Sequence, residues 1–421
     1  RTSQSTAALC QDAVEAVAAS MGPPGQVATL ILPADVSWSE GGVPAPMPTL
    51  AVPPVSDDAV VATIAKALQG GGKTAMLLGA RALREPALMA AARIAAKTGV
   101  KLYAEVFPTR IERGAGLPHV ERIAYLAELA STQLAGLKHL VLVDAKSPVS
   151  FFAYPGKPSD LVPEGCTVHR LATYEQDALA GLDKLVAALG AQDVQPELQT
   201  PQRPERPSGE LSAEKVCQAI GALLPERAII VDEAQTSGVK LPTFTRGAPR
   251  HDVITLTGGA IGQSLPNAVG AAIACPDRPV LALVGDGSAM YTVQALWTMA
   301  REQLNVTTVV FNNKSYAILN MELQRVGATG KGDKARSQLD IGNPGLDFVQ
   351  LAQGMGVQAV RVTTAEEFNR ALEQALRTPG PFLIEAVVPN AYTGLKLKVL
   401  PHVLNALGSL PQPLAQAIKR K

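Results

Sequence analysis

The stretch Val280-Leu-Ala-Leu-Val-Gly-Asp-Gly-Ser288, followed one helix later by Val306-Thr-Thr-Val-Val-Phe-Asn-Asn313, decides the fold. Residues 279–284 are continuously apolar, as expected of a strand buried on both faces, and they empty into a Gly-Asp-Gly turn. A helix is expected from about Ala289 to residue 302, and a second apolar strand then empties into Asn312-Asn313-Lys314-Ser315. One loop, one helix and one strand separate Asp286 from Asn313. A right-handed crossover of that length returns both to the same, carboxyl edge of a parallel sheet. A carboxylate, an amide oxygen and a backbone carbonyl, taken here as that of Ser315, could converge there on one hard cation. Three oxygens suit octahedral Mg²⁺ when a bound ligand supplies phosphate oxygens. Gly285 and Gly287 let backbone approach that ligand, and free N–H groups at the helix start near Ser288 face it.

Working outward, the same alternation recurs. The block from residue 211 carries strand patterns at 228–231, 253–256, 280–284, 306–311, 357–362 and 382–388, with helical patterns at 265–274, 289–302, 344–354 and 365–376. A preceding block alternates helices at 57–69, 82–98, 120–135 and 176–190 with strands at 74–78, 100–106, 140–144 and 166–171. Residues 5–21 read as a helix and 27–32 as a strand; these two cannot bury their faces alone and point to a larger unit. The expected fold class is α/β, with two open parallel-sheet domains carrying helices on both faces plus the end of a third, N-terminal α/β domain. The expected division is 1–40 (end of the N-terminal domain), 51–192 (central domain), 193–210 (linker, with Pro196, Pro201, Pro204 and Pro207), 211–390 (diphosphate-binding domain) and 391–421 (tail, a helix or lid with a basic end).

Composition narrows the function. The 421 residues are 47% hydrophobic and 18% charged, which supplies sizeable cores and excludes a disordered or disulfide-stapled chain. Lys and Arg number 38 against 37 Asp and Glu, so no electrostatic footprint for nucleic acid or an anionic membrane exists. Cys10, Cys166, Cys217 and Cys275 form no CxxC pair, no apolar run is long enough to span a bilayer, and the start does not resemble a signal peptide. A cytoplasmic protein is expected. The absence of an initiator Met suggests that residues precede Arg1.

Two competing motifs fail on inspection. Gly285-x-Gly287-x-x-Met290 lacks the last small residue of a dinucleotide fingerprint, and Asp286 would repel a bare pyrophosphate unless a cation sat between them. Gly72-Lys73-Thr74 resembles the end of a P-loop, but Ala67 stands at the first Gly position and helix and strand are in reverse order. A second Gly-rich turn, Gly258-Gly259-Ala260-Ile261-Gly262, favours a phosphate-bearing small ligand.

Gly-Asp-Gly with Asn-Asn, and GGAIGQSLPNAVGAA upstream, resembles the cofactor-binding half of thiamine-diphosphate enzymes, nearest to acetolactate synthases and benzoylformate-type 2-oxo acid decarboxylases. LDIGNPGLDFVQLAQGMGVQAVRV and GPFLIEAVVP resemble later segments of that domain, and GQVATLILPADV the strand ending the family's pyrimidine-binding domain. The resemblance implies thiamine diphosphate and Mg²⁺ as cofactors, with Asp286, Asn313 and the Ser315 carbonyl on the metal. It implies Gln235, Thr236, Gly287 and Ser288 at the diphosphate, Ile261 under the bent cofactor, and the Gly259 carbonyl accepting from the aminopyrimidine. Tyr316, Ile318 and Leu319 follow the metal loop and either line the substrate pocket or form helix core. His119 falls where some relatives place a substrate-facing histidine. The activating glutamate of relatives lies early in the N-terminal domain, and no glutamate here is assigned that role; the catalytic residue set is therefore open. The implied activity is decarboxylation of a small 2-oxo acid with carboligation, or without it, in a homodimer or homotetramer whose site lies between subunits. A cofactor-binding protein without turnover and a dinucleotide oxidoreductase stand as readings of other classes, the latter disfavoured by the failed fingerprint.

Overall fold

The computed structural model describes residues 1–154, 157–326, 328, 332–390 and positions 399, 402, 403 and 406. The expected helix or lid over 391–421 lies, those four positions apart, outside the described residues.

Twelve strands among the described residues form two sheets: β1 (Thr74–Leu78), β2 (Lys101–Ala104), β3 (Ile111–Arg113), β4 (Glu121–Arg122), β5 (His139–Val143), β6 (Thr167–Ala172), β7 (Ile229–Glu233), β8 (His251–Ile254), β9 (Val280–Gly285), β10 (Val306–Asn312), β11 (Gln358–Val362) and β12 (Phe382–Val387). The first sheet has the order β4-β2-β1-β5-β6 and the second β11-β12-β10-β9-β7-β8-β3. Every pairing is parallel except β3 with β8. Crossover helices make this possible, because parallel neighbours cannot be joined by a tight turn.

The apolar runs are continuous because both faces are covered. In β9, Val280, Ala282 and Val284 pack into one core with helices Ser264–Ala274, Ala295–Arg301 and Phe348–Gly354, whereas Leu281 and Leu283 enter another with Ala213–Leu223 and Ala365–Arg377. Each fully buried Leu or Val contributes roughly 1.5–3 kcal/mol. The first sheet is built likewise. Ala75 and Leu77 face Ala127–Leu134, and Met76 and Leu78 face Asp58–Gln69, Glu85–Thr98 and Ala178–Ala188. The latter face and the Ala213–Leu223 face of the second sheet belong to one continuous core.

Five expectations need correction. Residues 27–32 form no strand; a single parallel bridge joins Thr2 to Ile31. In the helix Leu9–Met21 only Asp12 is buried, so its apolar stripe packs on neither sheet. The helix expected at 120–135 splits into β4 and Ala127–Leu134, since Arg122 donates to the Val106 carbonyl from both Nε (3.0 Å) and Nη2 (2.6 Å) and fixes extended chain there. The helix expected at 289–302 starts at Asp286, three residues early, and breaks between Thr292 and Ala295. The second sheet is also not wholly parallel. Strand β3 leaves the first block and pairs antiparallel with β8, Ile111 opposite Val253 and Arg113 opposite His251.

Buried Asp252 ties this seam: Arg110, preceding β3, donates to it from Nε at 2.6 Å, and Arg278 bonds its other oxygen. Removing the carboxylate leaves the two guanidiniums facing each other. Asp252→Ala is expected to cost about 2 kcal/mol, read as a lower urea midpoint at unchanged m-value.

Candidate active site

The strands that carry the site leave the sheet where its winding reverses. From β7 the chain moves outward to β8, then returns to β9 on the other side of β7 and continues to β10. The crevice between the carboxyl ends of β7 and β9 is the place where open α/β sheets bind ligands. Gln235 and Thr236 leave β7 there, and Asp286 leaves β9. Register sets the rest: Phe311 pairs with Gly285, so Asn312 and Asn313 emerge beside Asp286.

Asp286 is buried at the first turn of its helix. Its Oδ1 accepts the Gly287 N–H at 2.9 Å and its Oδ2 the Lys314 N–H at 2.6 Å, so one carboxylate joins both strand ends. Burial raises its pKa to about 6, although the surrounding backbone N–H groups pull the other way. A buried acid held by neutral donors alone is the chemistry that a divalent cation completes. Asn312 and Asn313 divide their work. Asn312 is buried and donates to Glu385 at 2.7 Å, which leaves Asn313 at the crevice, its Oδ1 accepting the Ser315 N–H at 3.0 Å. Lys314 takes a left-handed φ of 57°, which costs on the order of 1–3 kcal/mol and turns the loop so that Ser315 bridges to Asp340. Gln235, with φ 51°, is a second non-glycine residue held in that region. Among the described residues no group of three or more His, Cys, Asp and Glu could hold a metal. The expected set contains one carboxylate, so a bound phosphate would have to supply the remaining oxygens.

The two Gly-rich turns are backed by aromatic rings. A Cβ on Gly287 would lie 2.3 Å from Tyr316 Cε1, so Tyr316 covers that turn directly. Gly258 and Gly259 have φ 69° and 71°, and a Cβ on Gly259 would meet Phe151 Cζ at 2.7 Å. Ile261 is 50% exposed, so it is not part of the apolar core. Leu319 is 46% exposed and Ile318 half-buried, whereas Ala317 and Met321 form the buried side of their helix; Leu319 is therefore not helix core. Ser288 and Thr236 are half-buried. His119 does not join this group within the chain. Strand β3 runs antiparallel to β8, and the loop after it bonds to Ala248 and Gln199, toward the amino edge of the sheet.

Three contributors were not legible in the sequence. Glu233, at the end of β7, is buried and accepts the Gly262 N–H with Oε1 and the Ser264 N–H with Oε2 at 2.7 Å. It anchors the Ile261 turn and caps helix Ser264–Ala274, whose own N-cap makes no side-chain bond. The paired acids Asp232-Glu233 ending an apolar strand were a signal, but the partner turn lies 29 residues away. Phe151, from the first block, heads a ring cluster with Phe107, Tyr125 and Phe152 at centroid distances of 4.9–6.1 Å. The third is Arg325, the last residue of the helix Ala317–Arg325.

Residues 236–386 match the family described as thiamine pyrophosphate enzyme, C-terminal TPP binding domain. A protein of Mycobacterium tuberculosis, named as a candidate acetolactate synthase large subunit, IlvX, is 54% identical over 402 residues, covering 93% of this chain and 75% of its own. The chain belongs to the thiamine-diphosphate enzyme family. A benzoylformate decarboxylase of Pseudomonas aeruginosa is 35% identical over 180 residues, 42% of this chain and 32% of that one. The fold is shared with the benzoylformate decarboxylase of Polynucleobacter necessarius, with a TM-score of 0.76 at 22% identity over 94% of this chain and 76% of that one. It is shared too with a Rhodococcus jostii 4-hydroxybenzoylformate decarboxylase, with a TM-score of 0.75 at 24% identity over 92% and 76%. The chain is thus an enzyme of a thiamine-diphosphate family related to acetolactate synthases and 2-oxo acid decarboxylases, as its motifs suggested. Among the described residues no helix is long and apolar enough to cross a membrane.

Glu233→Ala would orphan two buried N–H donors. It is expected to cost about 2–4 kcal/mol, seen as a lower melting temperature. The loss should be smaller in Glu233→Gln, which keeps one acceptor oxygen.

Proposed function

We propose that the protein decarboxylates a small 2-oxo acid with thiamine diphosphate and Mg²⁺ and joins the product to a second carbonyl compound, as an acetolactate synthase-like carboligase. The observation that carries this is the Asp286 carboxylate, buried and fixed to the ends of β9 and β10. The 54% identity to the M. tuberculosis protein supports carboligation over simple decarboxylation.

When bound, thiamine diphosphate supplies the electron sink for loss of CO₂. Asp286, the Asn313 amide oxygen and the Ser315 carbonyl would hold Mg²⁺. Gln235, Thr236, Gly287 and Ser288 would bind the diphosphate, and Tyr316 would wall this side of it. The Gly259 carbonyl would accept from the aminopyrimidine, with Ile261 supporting the ring from below. Tyr316, Ile318 and Leu319 would border the substrate space. The exposed side chains Ile261, Met290, Tyr291 and Trp297 support a homodimer or homotetramer that covers the site. Four free cysteines support a cytoplasmic location. A second reading, non-ligating decarboxylation of an aromatic 2-oxo acid, is favoured by the Phe107, Tyr125, Phe151 and Phe152 cluster beside Gly259.

Two measurements test this. Calorimetric titration is expected to show thiamine diphosphate binding that requires Mg²⁺ and vanishes in Asp286→Ala. Because the proton that Asp286 takes up near pH 6 competes with the cation, affinity should fall roughly tenfold per pH unit below that value. The sign is that of a raised carboxylate: without the cation, ionising Asp286 weakens the fold as pH rises through 6, and the cation reverses the effect. Tight NAD binding without metal would refute the proposal. Product analysis of the full-length protein should give acetolactate and CO₂ from two pyruvates. Benzaldehyde from benzoylformate, with no product from pyruvate, would favour the second reading.

A further inference from the structure

The helix Ala317–Arg325 begins one residue after Tyr316 and runs about 13 Å, nine residues at 1.5 Å each. At its start it is stitched to the Asn313–Tyr316 loop: the Asn320 amide donates to Ser315 Oγ at 3.0 Å and to the Tyr316 carbonyl at 3.4 Å. Its only buried apolar residues are Ala317 and Met321, so apolar packing holds it weakly. Its far end is held instead by charge. The Arg325 side chain is 4% exposed, and its Nη2 donates to both oxygens of Glu128, at 3.3 and 3.0 Å. Its Nη1 donates to the Tyr154 hydroxyl at 2.7 Å and to Glu322 Oε1 at 3.1 Å, and the guanidinium lies 4.0 Å from the Tyr154 ring centre. The Tyr154 hydroxyl donates in turn to Glu322 Oε2 at 2.8 Å. Glu128 and Tyr154 come from the block of the first sheet, and Lys157 adds a second cation 3.8 Å from Glu128.

We propose that Arg325 is a positioning residue that fixes the metal loop by locking its trailing helix to Glu128 and Tyr154. A buried ion pair contributes little net stability, because desolvation offsets attraction, but its directed donors fix geometry. A planar guanidinium between a carboxylate, a phenol and an i−3 carboxylate allows one orientation of the helix end. A rigid helix carries that orientation back to Ser315 and Tyr316. The lock thus sets where the Ser315 carbonyl and the Tyr316 ring stand relative to Asp286 without touching the cofactor. The inference rests on the reading of residues 313–316 as the metal loop.

The test is calorimetric titration of the full-length protein with thiamine diphosphate and Mg²⁺, alongside thermal unfolding of the same ligand-free variants. Arg325→Met and Glu128→Gln are each expected to weaken binding about tenfold. The double variant should be no weaker than either single one, because both remove the same lock. Arg325→Lys, which keeps the charge but not the fork, should fall between wild type and Arg325→Met. If Arg325→Met does not fold, Tyr154→Phe removes one hydroxyl and should weaken binding about threefold. Affinity within twofold of wild type in the folded variants, with only the melting temperature lowered, would overturn the proposal and leave Arg325 a structural residue. Asp286→Ala separates the two levels. Its loss of binding together with unchanged affinity in the Arg325 variants defeats this inference alone; unchanged binding in Asp286→Ala defeats the metal-loop reading and the inference with it.

Discussion

The Asp286 carboxylate accepts one backbone N–H from its own turn and another from the loop after the next strand, in a buried position. Everything near it is arranged around that pair of bonds. Parallel register between β9 and β10 brings the two loop ends level, the left-handed Lys314 points its N–H at Oδ2, and the missing Cβ of Gly287 lets Tyr316 close down. Ionising a carboxylate in such a place is unfavourable in the ligand-free protein, which is why its pKa stands near 6. The same cost makes the position selective for a cation brought in with an anionic ligand.

The sequence was most readable where local chemistry and topology coincide. Runs rich in Val, Ile and Leu identified inner strands such as β5, β9 and β10, which are covered on both faces, whereas the parallel edge strands β6 and β11 keep polar, exposed residues. Gly285-Asp286-Gly287 and Asn313 were legible as a pair because a right-handed crossover returns consecutive parallel strands to the same edge of the sheet. What escaped depended on partners far away in sequence. Glu233 serves a turn 29 residues on, and Phe151 reaches a glycine 108 positions ahead. Strand β3 has three residues and no periodicity of its own; its identity comes wholly from the edge of β8. At residues 27–32 the error ran the other way: the apolar run meets a parallel neighbour at a single bridge, Ile31 with Thr2, which is too short to make a strand.

The first-sheet block does more than separate other parts of the chain. Through Phe151 it presses on the Gly259 turn, and through Glu128 and Tyr154 it grips the helix behind Tyr316. The two Gly-rich turns, which belong to the second sheet, therefore share a support that belongs to the first. Tyr125 links these holds, its ring 5.4 Å from that of Phe151 and its hydroxyl 3.5 Å from Glu322 Oε1.

The loan of β3 to the second sheet has a consequence for how the chain can be divided. A cut in the extended segment 193–210 looks natural in the sequence, yet it would strip the second sheet of its edge strand. The backbone N–H and C=O groups of β8 would then face water unpaired, as an open template for another strand. The boundary drawn by sequence and the boundary drawn by hydrogen bonds thus fall in different places. A fragment made at the former would inherit an adhesive edge that the intact chain keeps covered.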